Sequence, residues 1–275
     1  MTLPTFVGIG VARGGTTWLH TLLSGHPDVY MPTRRKEVRF FDRNHDRGLD
    51  WYETFFCPPA DAGRYAAIGE ISPQYFYCDG CPERIAAELP AAKLLVMLRH
   101  PVDRAYSHYG FVVQRRNFRG SFEEFLALRP VMLDKGFYSR YLDRYLHHFA
   151  RDRILALVFE RAVRDNGTAR RALSTFLGLP VDRFPSSVGR VNASTVPRFG
   201  SLSNVAVTAG RRLRNTRLES VVDLAARHGV RGAITKGNAL PRLNGDLRAD
   251  LSERYHVEFD ELERRFGIDV SCWRG

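Results

Sequence analysis

Apolar and polar positions along the chain follow a repeating order. Thr5–Gly10 is an apolar run ending in glycines, and Thr17–Ser24 then sets Leu19, Leu22 and Leu23 on one side of a helix. This opening predicts a strand, a loop and a helix. Tyr65–Glu70 reads as a second strand, and Pro82–Leu89 as a short helix whose proline lies near its start, where a missing N–H costs little. Lys93–Leu98 (KLLVML) is continuously apolar, as in a strand buried on both faces, and a helix over Val102–Gln114 follows. Arg153–Phe159 repeats the pattern between predicted helices at Tyr138–Phe149 and Thr168–Leu177. Strands alternating with helices predict an α/β fold, a parallel sheet with helices on both faces. Pro185–Asn204, rich in Ser, Gly, Pro and Asn, reads as loop, Asn204–His228 is basic and weakly amphipathic, and Asp246–Phe266 predicts one long charged helix. With no internal repeat or domain boundary, residues 1–275 read as a single domain with a helical C-terminal section.

Composition narrows the class without deciding it. At 275 residues and 44% hydrophobic content the chain can bury a sizeable core. No stretch approaches the ~20 apolar residues of a membrane span. Met1-Thr2-Leu3-Pro4 lacks a basic region followed by an apolar core, so no signal peptide is expected, and the expectation is a cytoplasmic protein. Lys and Arg exceed Asp and Glu by 41 − 30 = 11, and the pI is about 9.9. That field favours an anionic ligand, whether nucleotide, sulfated or acidic substrate, nucleic acid or membrane surface. Arginines such as Arg211, Arg212, Arg214 and Arg217 equally suit a solvated helix face. Cys78 and Cys81 have the spacing of half a zinc site or a redox pair. Nothing completes a tetrahedral site, so free thiols in a loop are expected. No carboxylate cluster points to a metal.

Candidate chemistry sits at two strand ends. Gly10-Val11-Ala12-Arg13-Gly14-Gly15-Thr16-Thr17 joins the first strand to the first helix. Glycines let the backbone approach a phosphate, and the helix N-terminus offers N–H groups and a favourable dipole. The spacing resembles G-x-x-x-x-G-K-[ST], but Thr16 stands where the lysine would, and the cation is Arg13, inside the loop. A glycine-rich turn without a ligand is the plain alternative. The second place is Arg99, directly after the Lys93–Leu98 strand, at the end where open parallel sheets bind ligands. Ser107 follows nearly two helical turns on, so the two side chains can share one phosphate as cation and hydroxyl donor. An arginine capping the sheet and a serine facing solvent is the alternative reading.

Taken together, GVARGGTTWL (Gly10–Leu19) resembles the 5′-phosphosulfate loop, and VMLRHPVDRAYS (Val96–Ser107) the 3′-phosphate motif, of sulfotransferases that use 3′-phosphoadenosine 5′-phosphosulfate (PAPS). The similarity is to the heparan-type carbohydrate sulfotransferases and their bacterial relatives. It continues through HPDV (His26–Val29), KEVRFFD (Lys36–Asp42), GEISPQYF (Gly69–Phe76), GFYSRYL (Gly136–Leu142) and TKGNALP (Thr235–Pro241). The resemblance implies a P-loop-like fold without nucleotide-triphosphate chemistry. It places Arg13, Gly14, Gly15, Thr16 and Thr17 around the 5′-phosphosulfate and Arg99 with Ser107 on the 3′-phosphate. Lys236 and Gly237 would belong to a late loop over the nucleotide. Glu37 matches the family's catalytic base, and Lys36, Arg39, Phe40, Ser72 and Tyr138, within the matched segments, are the substrate-side candidates. Two departures stand out: Arg13 replaces the loop's usual lysine, and Ile71 replaces a lysine that heparan enzymes often carry.

Sulfuryl transfer by in-line displacement needs an aligned acceptor hydroxyl, stabilised charge on the sulfonate and bridging oxygen, and a base. Arg13, the loop N–H groups and the Thr16 and Thr17 hydroxyls suit the second need. Glu37 suits the third, with His20, His26, His100 and His108 as alternatives. The expected activity is transfer from PAPS to a hydroxyl on a carbohydrate, lipid or secondary metabolite, with no metal, nucleic acid or membrane span. A P-loop kinase would carry a lysine at Thr16 and an acid at Arg99. A basic nucleic-acid-binding module has charge in its favour but no base-reading motif, and a non-catalytic scaffold of the same fold leaves Glu37 without a purpose.

Overall fold

A computed structural model describes residues 2–57, 59–116, 118–186, 195–197, 237–240 and 242–274. In chain order the elements are β1 (Phe6–Gly10), α1 (Thr16–Ser24), β2 (Val29–Tyr30), a π-helical turn (Phe40–Asn44), α2 (Gly48–Glu53), α3 (Pro59–Ala62), β3 (Ala67–Ile71), α4 (Cys81–Glu88), β4 (Lys93–Leu98) and α5 (Pro101–Arg116). There follow α6 (Phe122–Leu128), α7 (Val131–Asp134), α8 (Ser139–Leu146), β5 (Ile154–Val158), α9 (Phe159–Arg164), α10 (Asn166–Leu177), β6 (Thr195–Pro197), β7 (Gly237–Ala239), α11 (Gly245–Glu253) and α12 (His256–Arg264).

The five strands β2-β3-β1-β4-β5 form one parallel sheet. Alternation along each strand feeds two cores. Val7 and Ile9 of β1 and Leu94, Val96 and Leu98 of β4 join Ile85 of α4, Leu142 of α8 and Phe259 of α12 on one face. Phe6, Leu95 and Met97 join Trp18 and Leu22 of α1 and Leu173 of α10 on the other. This two-sided burial is why β4 carries no polar alternation. Each of its fully buried aliphatic side chains contributes roughly 1.5–3 kcal/mol relative to exposure. From β1 the chain runs out to β2 at the sheet edge, returns to β3 beside β1, then crosses β1 to β4, so the direction of winding reverses between β1 and β4. A crevice for ligands opens beyond the C-terminal ends of such a strand pair.

Three expectations change. The predicted helix over Asp246–Phe266 is two helices, broken where Tyr255 turns into the core and donates its hydroxyl to the Leu133 carbonyl at 2.7 Å. Satisfying that buried hydroxyl sets the break. Cys78 and Cys81 are joined in a disulfide rather than free. The chain is extended at Cys78 and turns into α4 at Cys81, which leaves their Cα atoms 5.4 Å apart. The Pro185–Asn204 loop contains β6, whose antiparallel partner β7 begins at Gly237. Asn204–His228 and Lys236 lie outside the described residues. No helix among the described residues is long and apolar enough to cross a membrane.

Candidate functional site

The loop after β1 closes against the sheet because its glycines have no side chains. A Cβ on Gly14 would come within 2.5 Å of the Met97 carbonyl oxygen. Gly15, at φ 99°, caps α1 from the left-handed region, and a Cβ there would lie 2.1 Å from the Phe159 ring. The first turn of α1 has neither a side-chain cap nor an acidic residue, so its N-terminal dipole points into the crevice uncompensated.

Arg13, at φ 71°, donates from Nε to the Ser107 hydroxyl on α5 at 3.1 Å. Arg99, past the end of β4, donates to the Arg13 carbonyl at 3.3 Å and lies 5.3 Å over the Phe159 ring. The first loop and the second motif are thus in direct contact at adjacent strand ends. Burial, with Arg99 and Arg115 close by, pushes the Arg13 pKa down to about 10, and Glu37 pulls the other way. Cations crowded to that degree form a place an anion would relieve. Lys36 donates to the Thr17 hydroxyl at 2.7 Å, and burial lowers its pKa against the attraction of Glu37. Glu37 is half-buried and acts electrostatically on Arg13, Lys36 and Arg39 together.

The substrate-side candidates divide. Lys36 and Arg39 are half-buried at the crevice, but the Arg39 guanidinium is paired with Asp42. Phe40 is buried and stacked on Tyr52 with ring centroids 4.4 Å apart. Ser72 is buried and accepts the Arg39 N–H at 3.0 Å, and buried Tyr138 donates to the Arg99 carbonyl at 2.7 Å. Gly237 lies in β7, whose partner β6 runs beside α5. Ile71 is buried in the second core, where a lysine ammonium would be stranded.

The four histidines also separate. His26 bonds the Pro180 carbonyl at 3.0 Å and accepts the Asp28 N–H, His100 is buried beside Phe259 and Trp273, and His108 lies against Phe111 and Phe125. His20, one turn along α1 from Thr17, has its pKa pushed to about 4 by burial and by Lys36. Sequence reasoning passed over Glu70, Tyr52 and Tyr75, a buried group beneath the Lys36–Asp42 segment. Glu70 and Tyr75 stood within the matched GEISPQYF segment, and a lone acid in an otherwise apolar strand was the available signal. Among the described residues no cluster of His, Cys, Asp or Glu could hold a metal ion.

Sheet order, glycine loop and paired cation motifs define a P-loop-like α/β protein with its cations gathered at the ends of β1 and β4. The Sulfotransferase domain family matches residues 4–204, and the chain belongs to that family. It is 32% identical over 293 residues to the human bifunctional heparan sulfate N-deacetylase/N-sulfotransferase 3, covering 98% of this chain and 31% of that protein. It is 35% identical over 186 residues to the mouse heparan sulfate glucosamine 3-O-sulfotransferase 3B1, covering 64% of this chain and 46% of the relative. The chain therefore spans less than half the length of these relatives. A solved sulfotransferase from Alicyclobacillus acidocaldarius superposes over 100% of both chains with a TM-score of 0.67 at 25% identity.

Proposed function

We propose that this chain is a single sulfotransferase domain that transfers a sulfuryl group from PAPS to an acceptor hydroxyl, with Glu37 as general base. The observation that supports this most is Glu37 within the shared field of Arg13, Lys36 and Arg39, beside the joined phosphate motifs. PAPS supplies the activated sulfuryl group. Gly14, Gly15, Thr16 and Thr17 hold its 5′-phosphosulfate, Arg99 and Ser107 hold its 3′-phosphate, and Lys236 and Gly237 are assigned to the nucleotide as well.

Glu37 takes the acceptor proton as the transfer proceeds. Arg13 and the N–H groups opening α1 face the charge that builds on the sulfonate and leaving oxygen. A guanidinium keeps its proton at working pH, so Arg13 contributes charge and orientation. Lys36 is the ammonium beside the loop, placed on Thr17. Phe40, Ser72 and Tyr138 act from the second layer, holding the segments that carry Glu37 and Arg99.

The curated relatives act on heparan sulfate at nitrogen and at oxygen. We assign a carbohydrate or secondary-metabolite hydroxyl to this chain, and buried Ile71 is the feature that departs from the heparan pattern. Labelled PAPS offered with a library of sugar alcohols, amino sugars and small hydroxylated metabolites, read by mass spectrometry, tests the assignment. Label on a hydroxyl, retained in EDTA, is the expected result. Label on amines alone would move the acceptor to nitrogen. Magnesium-dependent turnover of ATP without use of PAPS would replace the reading with a kinase.

A further inference from the structure

We propose that Glu70 is a positioning residue: through Ser72 and Tyr75 it fixes the backbone that presents Glu37. The inference rests on the assignment of Glu37 above. Glu70 lies on β3, fully buried. Its carboxylate accepts from the Ser72 hydroxyl at 2.6 Å, the Tyr75 hydroxyl at 2.7 Å and the Tyr52 hydroxyl at 3.1 Å. It also accepts a backbone hydrogen bond from Val38. The Ser72 oxygen accepts the Arg39 N–H at 3.0 Å, and the Tyr75 oxygen accepts those of Phe40 at 2.8 Å and Phe41 at 3.4 Å. Four consecutive amides, Val38 to Phe41, are thereby tied to one carboxylate, and they begin at the residue after Glu37.

Donor and acceptor roles explain why a carboxylate stands there. A hydroxyl has one proton, and an ionised carboxylate can only accept. Glu70 therefore draws the protons of Ser72, Tyr75 and Tyr52 toward itself and leaves the Ser72 and Tyr75 oxygens facing the loop as acceptors. No regular helix or strand covers Val38 and Arg39, and Arg39 sits at φ 60°, in the left-handed region costly for an arginine. Side-chain acceptors take the place of the backbone partners that regular structure would give these amides. Burial pushes the Glu70 pKa up to about 7, while its hydrogen bonds from Ser72, Tyr75, Tyr52 and Val38 pull it down, so the accepting carboxylate is the form present above that pH, where Glu70→Gln is compared with wild type. Tyr52 and Tyr75 are raised well above 10 by burial and remain donors.

Glu70→Gln keeps the shape and breaks the logic. An amide N–H2 donates to at least one hydroxyl, whose own proton then loses its acceptor and competes with a loop N–H. Hydrogen exchange by mass spectrometry over residues 36–44, with turnover of PAPS and calorimetry with adenosine 3′,5′-bisphosphate, tests the role in the full chain. The expected result is at least tenfold faster exchange at 38–41, kcat lower by about 10–100-fold from a displaced Glu37, and nucleotide affinity within about twofold of wild type. Unchanged exchange at 38–41, or nucleotide affinity lost together with turnover, overturns the proposal. Ser72→Ala is the milder variant should Glu70→Gln not fold: it should speed exchange at Arg39 with Phe40 and Phe41 still protected, and unchanged exchange there overturns the proposal as well. Exchange needs no substrate, so a wild type inert toward PAPS would refute the assigned function while leaving this measurement to decide on Glu70.

Discussion

Arg13 Nε donates to the Ser107 hydroxyl across 3.1 Å, so the loop after β1 and the helix after β4 share a hydrogen bond between the two side chains proposed to bind the donor's anionic groups. A serine oxygen that accepts from Arg13 keeps its proton to donate to a phosphate. The pair therefore couples the two ends of the expected nucleotide site. Arg13→Ala should lower turnover by about 10²–10³-fold, the usual loss when a group facing developing charge is removed. Arg13→Lys should retain much more, since the charge survives. Steady-state kinetics on both variants measures this, and wild-type rates in both would make Arg13 a bystander.

The nucleotide end is read separately. Arg99→Ala should weaken adenosine 3′,5′-bisphosphate binding by about 1.5–3 kcal/mol, the range for a hydrogen bond to a charged group. Ser107→Ala should cost less, and the double variant less than the sum, because the two act on one phosphate. Calorimetry against adenosine 5′-phosphate is the control. Equal affinity of the wild type for both nucleotides would remove the 3′-phosphate from Arg99.

Glu37→Gln keeps size and hydrogen bonding while removing the proton acceptor. Turnover should fall by about 10²–10⁴-fold with nucleotide affinity nearly unchanged. A variant that loses both together would make Glu37 structural, and one that loses neither would bring His20 forward.

Acidity gives a fourth expectation. Burial holds the Glu70 pKa at about 7 in the folded chain, against an ordinary glutamate value of 4.5. Between these values the native state binds the extra proton, so the Glu70 contribution to stability is fully present below about 4.5 and is lost as pH rises through about 7. His20, His100 and His108, each pushed to about 4 by burial, have the opposite sign: their contribution is present above the ordinary histidine value and is lost as pH falls toward 4. Only a difference isolates Glu70. The stability of wild type minus that of Glu70→Gln should therefore fall across that window, with a slope of at most about 1.4 kcal/mol per pH unit. Tyr52 and Tyr75, the other titratable groups bonded to Glu70, stay protonated throughout. Denaturant unfolding at several pH values checks the sign, and a flat difference would mean that Glu70 does not titrate there.

The sequence by itself determined the parallel sheet, because β1 and β4 are buried on both faces and burial of that kind leaves a continuous apolar run. It also determined the places of the glycine loop and of Arg99, since strand ends follow directly from strand boundaries. Partners distant in the chain were decided only by the tertiary structure. Arg13 and Ser107 are 94 residues apart, and Tyr75 meets Phe40 across 35. Nothing local records such pairs. Phe40, Ser72 and Tyr138 resembled substrate contacts as letters in matched segments, yet their side chains are buried. Helical pattern ran unbroken through Tyr255, and the cysteine spacing was silent on pairing, because a core carbonyl at Leu133 and the turn into α4 settled these outcomes. Periodicity reports which face of an element is apolar; which buried hydrogen-bond partner it meets depends on chain brought from elsewhere.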